Sequence, residues 1–384
     1  MKWTNPGHQF DAIGSDLKNF QNIYIYGASD IGKYILKCVT FLKVEISFID
    51  KNLEKQQKGV EGYQVYSPEE FKEKCAEHDD GFIVVFTVNR SNYLNLAKEF
   101  IRDGYRENVD FFFYDVFEKF YLNILSVYKF NKIFVEQLSL MVTTYCTLKC
   151  KDCIISMPYQ KEKRHVPLSE LKKDVELFFS KVDFVRYFGP GGGEIFLYPD
   201  LDQFLEYVLS RFSKQIGEVL LISNATVLPN EKVLRMIKKY NLTIRISNYD
   251  NVKGWLEKRN KFVSLCEENG IAFREQKEEY WLDMGWNSEK KNVKLAYQLF
   301  EQCEMPCREF SNGIEYYCLH GHFAEMAKGI HEDQGLDFTK EETDKRIILE
   351  YNMGYLKKGF LNSCIRCNGY FGVNNKRIPV AEQL

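Results

Sequence analysis

The chain has 384 residues, enough for two or three domains, and its 52 basic and 54 acidic residues leave a formal net charge of −2. This balance indicates no basic surface for nucleic acid. No run of about 18 apolar residues predicts a membrane span, and residues 1–10 lack the apolar core of a signal peptide. We therefore expect a cytoplasmic protein with neither nucleic acid nor a membrane as its partner.

The cysteine count is high for a chain without a recognisable export signal. Of eleven cysteines, Cys38, Cys75 and Cys266 stand alone in helical patterns and are expected to fill the core. The other eight fall into two groups far apart in sequence. In a reducing compartment such groups indicate metal binding rather than a disulfide framework.

Residues 21–125 have the pattern of a Rossmann-like domain. A buried strand ends at Gly27, a helix opens around Gly32, and the next strand ends at Asp50. In such a unit the glycines let a pyrophosphate approach and the acid binds a ribose hydroxyl. Ser29 replaces the middle glycine of the fingerprint, which weakens it. Two interpretations stay open: a nucleotide or nucleotide-sugar bound at Gly27, Gly32 and Asp50, or a scaffold role.

Three more strand patterns complete this domain, at 62–66, 81–86 and 111–115. Ser67 and Glu70 are spaced as a capping box for the helix between the first two. The aromatic segment that follows reads as a helical linker.

A compact group of three cysteines comes next. Cys146, Cys150 and Cys153 follow the predicted strand 138–144 with the spacing C-x3-C-x2-C. A closed structural zinc site needs four ligands. A [4Fe–4S] cluster held by three thiolates keeps one iron open for another ligand. A zinc site or three unconnected thiols is the alternative.

Strand and helix patterns alternate after this group. The strands are predicted at 138–144, 182–188, 218–223, 242–247 and 271–274, with helices at 169–180, 200–212, 230–240 and 252–268. Such repeats predict a parallel sheet with right-handed crossovers. Functional residues then belong at the carboxyl ends of the strands. Polar or glycine-rich turns occur at these ends: Gly192-Gly193-Glu194, Ser223-Asn224, and Arg245 with Ser247.

The cysteine triplet, followed one β–α unit later by Gly-Gly-Glu, resembles the signature of the radical S-adenosylmethionine (SAM) enzymes. The resemblance implies a partial (β/α)6 TIM-type barrel and a [4Fe–4S] cluster on Cys146, Cys150 and Cys153. The open iron would take the amino and carboxylate groups of SAM, and reduction would yield a 5′-deoxyadenosyl radical. A flavodoxin- or ferredoxin-type electron donor is implied as well.

The same resemblance assigns roles to the turns. The SAM amino group would be held by Gly192, Gly193 and Glu194. Ser223 and Asn224 would contact its ribose and carboxylate, and Arg245 and Ser247 would meet the carboxylate, for which arginine is well suited. One departure is Asp152, which stands where many members place an aromatic residue.

The second group of cysteines lies in residues 291–384. It comprises Cys303, Cys307, Cys318, Cys364 and Cys367. Taken from the residues alone, four thiolates fit a zinc or an iron–sulfur site. With Gly313, the spacing resembles the twitch extension, a shortened SPASM domain. That resemblance implies one auxiliary [4Fe–4S] cluster held by Cys303, Cys318, Cys364 and Cys367.

Cys307 is a fifth thiol in this group. Three roles stay open: it replaces Cys303 as a ligand, it donates a hydrogen atom, or it has no chemical role. His320 and His322 follow Cys318 closely and are either acid–base groups or ordinary histidines.

The predicted organisation is α/β. Its parts are an N-terminal segment at 1–20, the Rossmann-like domain at 21–125, a linker at 126–137, the radical SAM core at 138–290 and the twitch domain at 291–384. The leading hypothesis is an oxidoreductase that dehydrogenates a sugar, polyol or nucleotide-activated sugar, as in surface polysaccharide or secondary-metabolite biosynthesis. The auxiliary cluster would accept an electron, as the resemblance to aminocyclitol alcohol dehydrogenases implies.

Three alternatives remain. The first is a sugar epimerase in which Cys307 returns the hydrogen atom. The second is an enzyme that modifies a ribosomal peptide. The third is not an enzyme: a zinc-stapled, nucleotide-binding scaffold.

Overall fold

The computed structural model describes residues 1–17, 19–77, 81–286, 289–328, 334–370 and 373–384. They form two compact units, Pro6–Phe134 and Val135–Leu384 together with Met1–Asn5. Both units are mixed α/β with parallel sheets, as the sequence predicts. In these ranges no helix is long and apolar enough to cross a membrane.

The smaller unit is built on one parallel sheet. Its strands are β1 Asn22–Tyr26, β2 Glu45–Ile49, β3 Val65–Tyr66, β4 Phe82–Phe86 and β5 Phe111–Phe113. Its helices are α1 Asp11–Asp16, α2 Asp30–Val39, α3 Leu53–Lys58, α4 Pro68–Glu77, α5 Arg90–Arg102, α6 Tyr114–Val116 and α7 Leu122–Phe130. The strand order is β3-β2-β1-β4-β5, with parallel pairing throughout.

Local sequence explains several features of this unit. All residues of β4 are buried, as expected for a strand covered on both faces. The predicted capping box is confirmed: Ser67 Oγ accepts from Glu70 N at 3.0 Å, and Glu70 Oε2 accepts from Ser67 N at 2.7 Å. The predicted strand 111–115 ends at Phe113, because α6 begins at Tyr114.

The larger unit contains the remaining elements. Its strands are β6 Phe134–Thr143, β7 Phe184–Gly192, β8 Ile216–Val219, β9 Leu221–Ser223, β10 Ile244–Asn248, β11 Phe273–Lys277, β12 Trp281–Leu282, β13 Cys307–Ser311, β14 Ile314–Tyr316, β15 Leu336–Asp337 and β16 Arg377–Ile378. Its helices are α8 Leu168–Lys181, α9 Leu201–Phe212, α10 Glu231–Lys239, α11 Trp255–Glu268, α12 Val293–Glu301, α13 Leu319–Lys328 and α14 Lys345–Asn352.

These strands form sheets ordered β15-β14-β13-β6-β7-β8, β11-β10-β9 and β12-β16. The predicted strand 218–223 is split at Leu220, whose N–H donates to Phe188 O at 2.7 Å and so links β7 to the turn between β8 and β9. Where the structure describes the chain, no sheet closes into a barrel. The sequence predicted no strand beyond residue 291, yet β13 joins β6 in parallel.

The two faces of β13 have different surroundings. Phe310 packs against Phe178 of α8, with ring centroids 5.2 Å apart. Successive strand residues alternate between faces, so Glu309 points to the opposite side. Glu309 is in register with Ser139 of β6, so the two side chains lie on the same face. Gly191 of β7 lies against Ser139 on this face, because a Cβ on Gly191 would lie 2.1 Å from Ser139 Oγ. We call the face shared by Glu309, Ser139 and Gly191 the inner face.

Candidate functional site

The cysteine loop leaves the carboxyl end of β6. Cys146 and Cys153 pack against an apolar cluster that contains Met141 of β6, and Cys150 belongs to a second cluster with Val380, which Cys153 also contacts. Burial raises the pKa of Cys146 to about 12 and that of Cys150 to about 11. A thiol must lose its proton to bind a metal, so metal binding at this loop would release protons.

Glycines bring the end of β7 against this loop. Gly192 has φ +144°, and a Cβ there would lie 2.3 Å from Thr143 O. A Cβ on Gly193 would lie 2.2 Å from Tyr145 O and 2.7 Å from Cys146 Cβ. The backbone of the Gly-Gly turn can approach the cysteine loop this closely only because it carries no side chain.

Glu194 joins two strand ends. Its side chain is fully buried; Oε1 accepts from Ser223 Oγ at 2.9 Å and from Phe196 N at 3.2 Å, and Oε2 accepts from Asn224 N at 2.8 Å. Burial raises the pKa of Glu194 to about 7 against these hydrogen bonds, which lower it. Its predicted contact with the SAM amino group stays a prediction, since both carboxylate oxygens already accept hydrogen bonds from the chain.

Asn224 links the end of β9 to the cysteine loop by hydrogen bonds. Its Nδ2 donates to Cys146 Sγ at 3.6 Å and to Thr147 Oγ1 at 3.2 Å. Its backbone oxygen accepts from Trp255 Nε1 at 2.7 Å, and Trp255 is buried. Trp255 was not predicted from the sequence. The one sign of it there is its position at the start of a helix that follows a strand.

Arg245 and Ser247 lie on β10 and have different surroundings. Ser247 is hydrogen-bonded to Tyr249, a partly buried side chain that lies near the three loop cysteines and whose pKa is raised chiefly by loss of solvent. The positive charge of Arg245 instead interacts with Cys307 and Tyr370, where it opposes the rise in their pKa values. The predicted pairing of Arg245 with the SAM carboxylate stays a prediction.

The structure gathers four of the five later cysteines. Electrostatic interactions link Cys303, Cys318, Cys364 and Cys367, and burial is the main cause of their raised pKa values. Gly321 N donates to Cys318 Sγ at 3.3 Å, and Gly369 N donates to Cys367 Sγ at 3.2 Å. Backbone N–H groups directed at sulfur suit thiolates that ligate a cluster.

Cys307 differs from these four thiols in its surroundings. Its charged neighbours are Arg308, Glu309, Glu136 and Arg245, and burial raises its pKa to about 12. It opens β13, two residues before Glu309 and therefore on the inner face. Of the two candidates for the fourth position, Cys303 is the one that lies beside the other three cysteines.

Both cysteine groups have the donor chemistry of iron–sulfur sites. Over the described part of the chain, no three or more His, Cys, Asp or Glu side chains are arranged to hold one metal ion. A [4Fe–4S] cluster takes each thiolate on a different iron, so its ligands need not converge on one point.

An unpredicted acid–base pair lies on the inner face. Glu309 is buried, and its Oε2 lies 3.6 Å from Nε2 of His322 on α13 and 3.2 Å from Ser311 Oγ. Burial raises the pKa of Glu309 to about 8. The His322 ring stacks on Tyr316 at 3.7 Å. The sequence had singled out His322 but not Glu309, because only the register of β13 with β6 places this carboxylate.

His320 has a different environment. It is buried near Tyr370, with ring centroids 5.8 Å apart, and burial lowers its pKa to about 3. Its Nδ1 has no hydrogen-bond partner among the described residues. The prediction that His320 is an acid–base group stays a prediction.

Comparison with known proteins classifies the part of the larger unit that carries the first cysteine group. Residues 140–248 match the family model described as the radical SAM superfamily. The chain contains a radical SAM domain. The matched stretch includes the cysteine triplet, the Gly-Gly-Glu turn and the polar turns after β9 and in β10. SAM and a [4Fe–4S] cluster are the cofactors of this superfamily.

A curated relative extends the comparison. The antilisterial bacteriocin subtilosin biosynthesis protein AlbA of Bacillus subtilis (strain 168) is 28% identical over 146 residues, 35% of this chain and 31% of AlbA. The match therefore spans about a third of that relative.

Solved structures are similar to the chain only distantly. BtrN in complex with AdoMet and 2-DOIA is 14% identical, with 66% of this chain and 100% of BtrN covered at a TM-score of 0.43. Streptococcus suis SuiB is 13% identical, with 74% and 75% covered at a TM-score of 0.30. At these TM-scores neither likeness carries a functional argument.

The smaller unit carries the predicted nucleotide residues outside the radical SAM domain. Asp50 accepts hydrogen bonds from Ala28 N and Asn52 N at 2.9 Å and from Lys55 Nζ at 3.0 Å. Lys55 Nζ also donates to Ala28 O at 2.8 Å. Both acceptor positions of Oδ2 are thus used by the chain itself, and nucleotide binding at Asp50 stays a prediction.

The glycines of this fingerprint have structural roles. Gly27 has φ +113°, a conformation that favours glycine. A Cβ on Gly32 would lie 2.1 Å from Gly27 O, so this glycine permits close packing of α2 on the strand end. Ser29, in the middle position, caps α2 through a 3.4 Å hydrogen bond from Gly32 N.

Proposed function

We propose that the chain is a radical SAM oxidoreductase that dehydrogenates a sugar, polyol or nucleotide-activated sugar. One observation carries the radical SAM part of the proposal: the ends of β6, β7 and β9 bring the cysteine loop, the Gly-Gly turn and the Glu194–Asn224 connection together. When bound on Cys146, Cys150 and Cys153, the cluster and SAM supply the radical that removes a hydrogen atom from substrate.

The proposed auxiliary cluster would favour oxidation over other outcomes. Dehydrogenation of a carbinol removes one hydrogen atom, one proton and one electron. The electron needs an acceptor, and Cys303, Cys318, Cys364 and Cys367 would hold an auxiliary [4Fe–4S] cluster able to take it. A flavodoxin- or ferredoxin-type donor would reduce the first cluster.

The Glu309–His322 pair would accept the hydroxyl proton. Burial raises the pKa of Glu309 to about 8, so its ionised form is a stronger base than an ordinary carboxylate. The inner face leads from this pair to the cysteine loop, because Met141, two residues beyond Ser139 on β6, packs against Cys146.

A second candidate is peptide modification. It is favoured by the similarity to AlbA, a bacteriocin biosynthesis protein. Epimerisation is a third candidate, for which the buried Cys307 on the inner face would be the hydrogen donor.

A substrate screen separates these candidates. Anaerobically reconstituted chain, SAM and dithionite would be incubated with nucleotide-sugars, sugar phosphates, polyol phosphates or peptides, and 5′-deoxyadenosine would be measured. We expect a sugar-type compound to raise 5′-deoxyadenosine and to lose two hydrogens. The control is Cys150→Ala, which should give no response.

Other results would contradict the proposal in distinct ways. Unchanged substrate mass with one deuterium taken up from heavy water would replace oxidation by epimerisation. Stimulation by peptides alone would replace the sugar substrate by a peptide.

A further inference from the structure

The segment 380–384 pairs with the cysteine loop. Cys150 and Gln383 form an antiparallel bridge. Two backbone hydrogen bonds flank the bridge: Lys151 N to Glu382 O at 2.7 Å and Leu384 N to Lys149 O at 3.0 Å. The loop is thus held by main-chain bonds to a segment far away in sequence.

This segment is anchored in apolar surroundings. Val380 and Ala381 are buried and form one cluster with Cys150, which is itself 7% exposed. Asn251 Nδ2 donates to Val380 O. The sulfur of Cys150 is therefore largely shielded from water, whereas Gln383 itself is exposed. A hydrogen bond is stronger at a shielded sulfur than at an exposed one.

The side chain of Gln383 has one orientation that satisfies its neighbours. Its Oε1 accepts from Lys149 N at 2.9 Å. Its Nε2 donates to Ala381 O at 2.6 Å and to Cys150 Sγ at 3.3 Å. The opposite orientation would place Oε1 against Ala381 O and Nε2 against Lys149 N, so the network directs the N–H at the sulfur.

We propose that Gln383 is a positioning residue that sets the reduction potential of the cluster on Cys146, Cys150 and Cys153. A hydrogen bond to a ligating thiolate withdraws electron density from the sulfur and favours the reduced cluster, so it raises the potential. The inference rests on the proposed assignment of these cysteines as cluster ligands.

Two variants test the side chain. Gln383→Glu keeps an oxygen for Lys149 N but replaces the N–H donor with a carboxylate beside Cys150 Sγ. Gln383→Met removes the polar group at similar size. The matched control is Glu382→Ala, which removes only a half-exposed pair with Lys151 at 3.4 Å and leaves the backbone bond intact.

The measurement is an anaerobic redox titration followed by electron paramagnetic resonance (EPR). The signal that changes on addition of SAM identifies the first cluster. We expect its midpoint potential to shift to more negative values in Gln383→Glu and Gln383→Met, with no shift in Glu382→Ala. Iron content and SAM affinity are measured in the same samples.

The outcomes separate the two proposals. A SAM-responsive signal in the wild type with an unshifted midpoint in Gln383→Glu would overturn the role of Gln383, whether or not Gln383→Met keeps its cluster. An equal shift in Glu382→Ala would also overturn it. A wild-type protein without any SAM-responsive signal would instead overturn the assignment of the cysteines.

Discussion

Cys303 and Cys307 show how much depends on a single position. Both are compatible with the spacing of the second group, but Cys303 is the one with electrostatic interactions to Cys318, Cys364 and Cys367 among their leading neighbours. Cys307 instead opens β13 among charged neighbours. Two thiols close together in sequence thus differ in their surroundings, because one of them is the first residue of a strand.

The two cysteines should differ in iron binding. Cys303→Ser is expected to lower the iron content of reconstituted chain by about four atoms, the content of one cluster, whereas Cys307→Ser should leave it unchanged. Iron and sulfide analysis of anaerobic samples measures this. Loss of iron in Cys307→Ser would exchange the two assignments.

Glu194 makes stability depend on pH. Its pKa rises from 4.5 to about 7 on folding because of burial. The protonated form is thus favoured by folding, so the associated stability is complete below about pH 4.5 and is lost as pH rises through 7. In Glu194→Gln this dependence is expected to vanish.

The same variant should be less stable in acid, and the difference should narrow as pH rises through 7, where the wild type must ionise its buried carboxyl. One amide N–H group would meet a backbone donor, Asn224 N or Phe196 N, at a cost of about 1–3 kcal/mol. Urea unfolding at several pH values measures both effects, with Glu218→Gln, an exposed position, as the control. A wild-type pH slope retained in Glu194→Gln would contradict the assignment.

The raised pKa of Glu309 predicts how the rate of product formation depends on pH. A general base must be ionised, so kcat/KM should rise with pH and level off above about 8, the raised pKa of Glu309. Glu309→Gln should lower product formation at least tenfold, at the low end of the usual range for acid–base catalysis, while SAM cleavage continues.

A second buried carboxylate serves as the control for this prediction. Glu315 is also buried, with its pKa raised to about 7, and pairs with Phe310 rather than with the inner face. Equal losses in Glu309→Gln and Glu315→Gln would indicate a structural effect and remove Glu309 from the mechanism.

At the scale of elements, the turn after β2 shows that the chain's own donors can bind the acid of a nucleotide-binding pattern. Asp50 ends β2 as a ribose-binding acid would, yet it accepts from Ala28 N, Asn52 N and Lys55 Nζ. Burial raises the pKa of Asp50, but these bonds outweigh it and the net pKa is lowered. The carboxylate therefore holds the ends of β1 and β2 together.

Asp50→Asn is expected to destabilise the chain by about 1–3 kcal/mol, because an amide N–H group would meet a backbone donor. The loss should be largest above pH 4, where Asp50 is ionised, and should fade as acid protonates the wild-type carboxylate. Urea unfolding measures it. Glu54→Gln, in an exposed pair with Lys58, should change stability by less than about 0.5 kcal/mol. Similar losses in both variants would contradict a special role for Asp50.

At the scale of the whole molecule, one unit carries both cysteine groups. The radical SAM domain at 140–248 supplies the first group, and the later residues of the same unit supply the second. A chain loaded with both clusters should hold about eight irons.

Single cysteine variants should separate the two clusters. Cys150→Ala should abolish SAM cleavage and leave about four irons, whereas Cys364→Ala should spare SAM cleavage more than product formation. Quantification of 5′-deoxyadenosine and product measures the difference. If Cys364→Ala lost both to the same degree, the second cluster would be structural rather than an electron acceptor.

The sequence by itself determined the class of the radical SAM domain and the α/β pattern. Cysteine spacing, the Gly-Gly-Glu turn and hydrophobic periodicity are local signals, and each predicted strand through β11 is present with shifted ends. The capping box of α4 was equally local and was confirmed.

Tertiary structure alone decided which side chains meet. The register of β13 with β6 placed Glu309, the mutual approach of four thiols separated Cys303 from Cys307, and a bridge between positions far apart in sequence brought Gln383 to Cys150. Such contacts follow from strand pairing and chain closure, which depend on the whole fold and leave no periodic trace in the sequence.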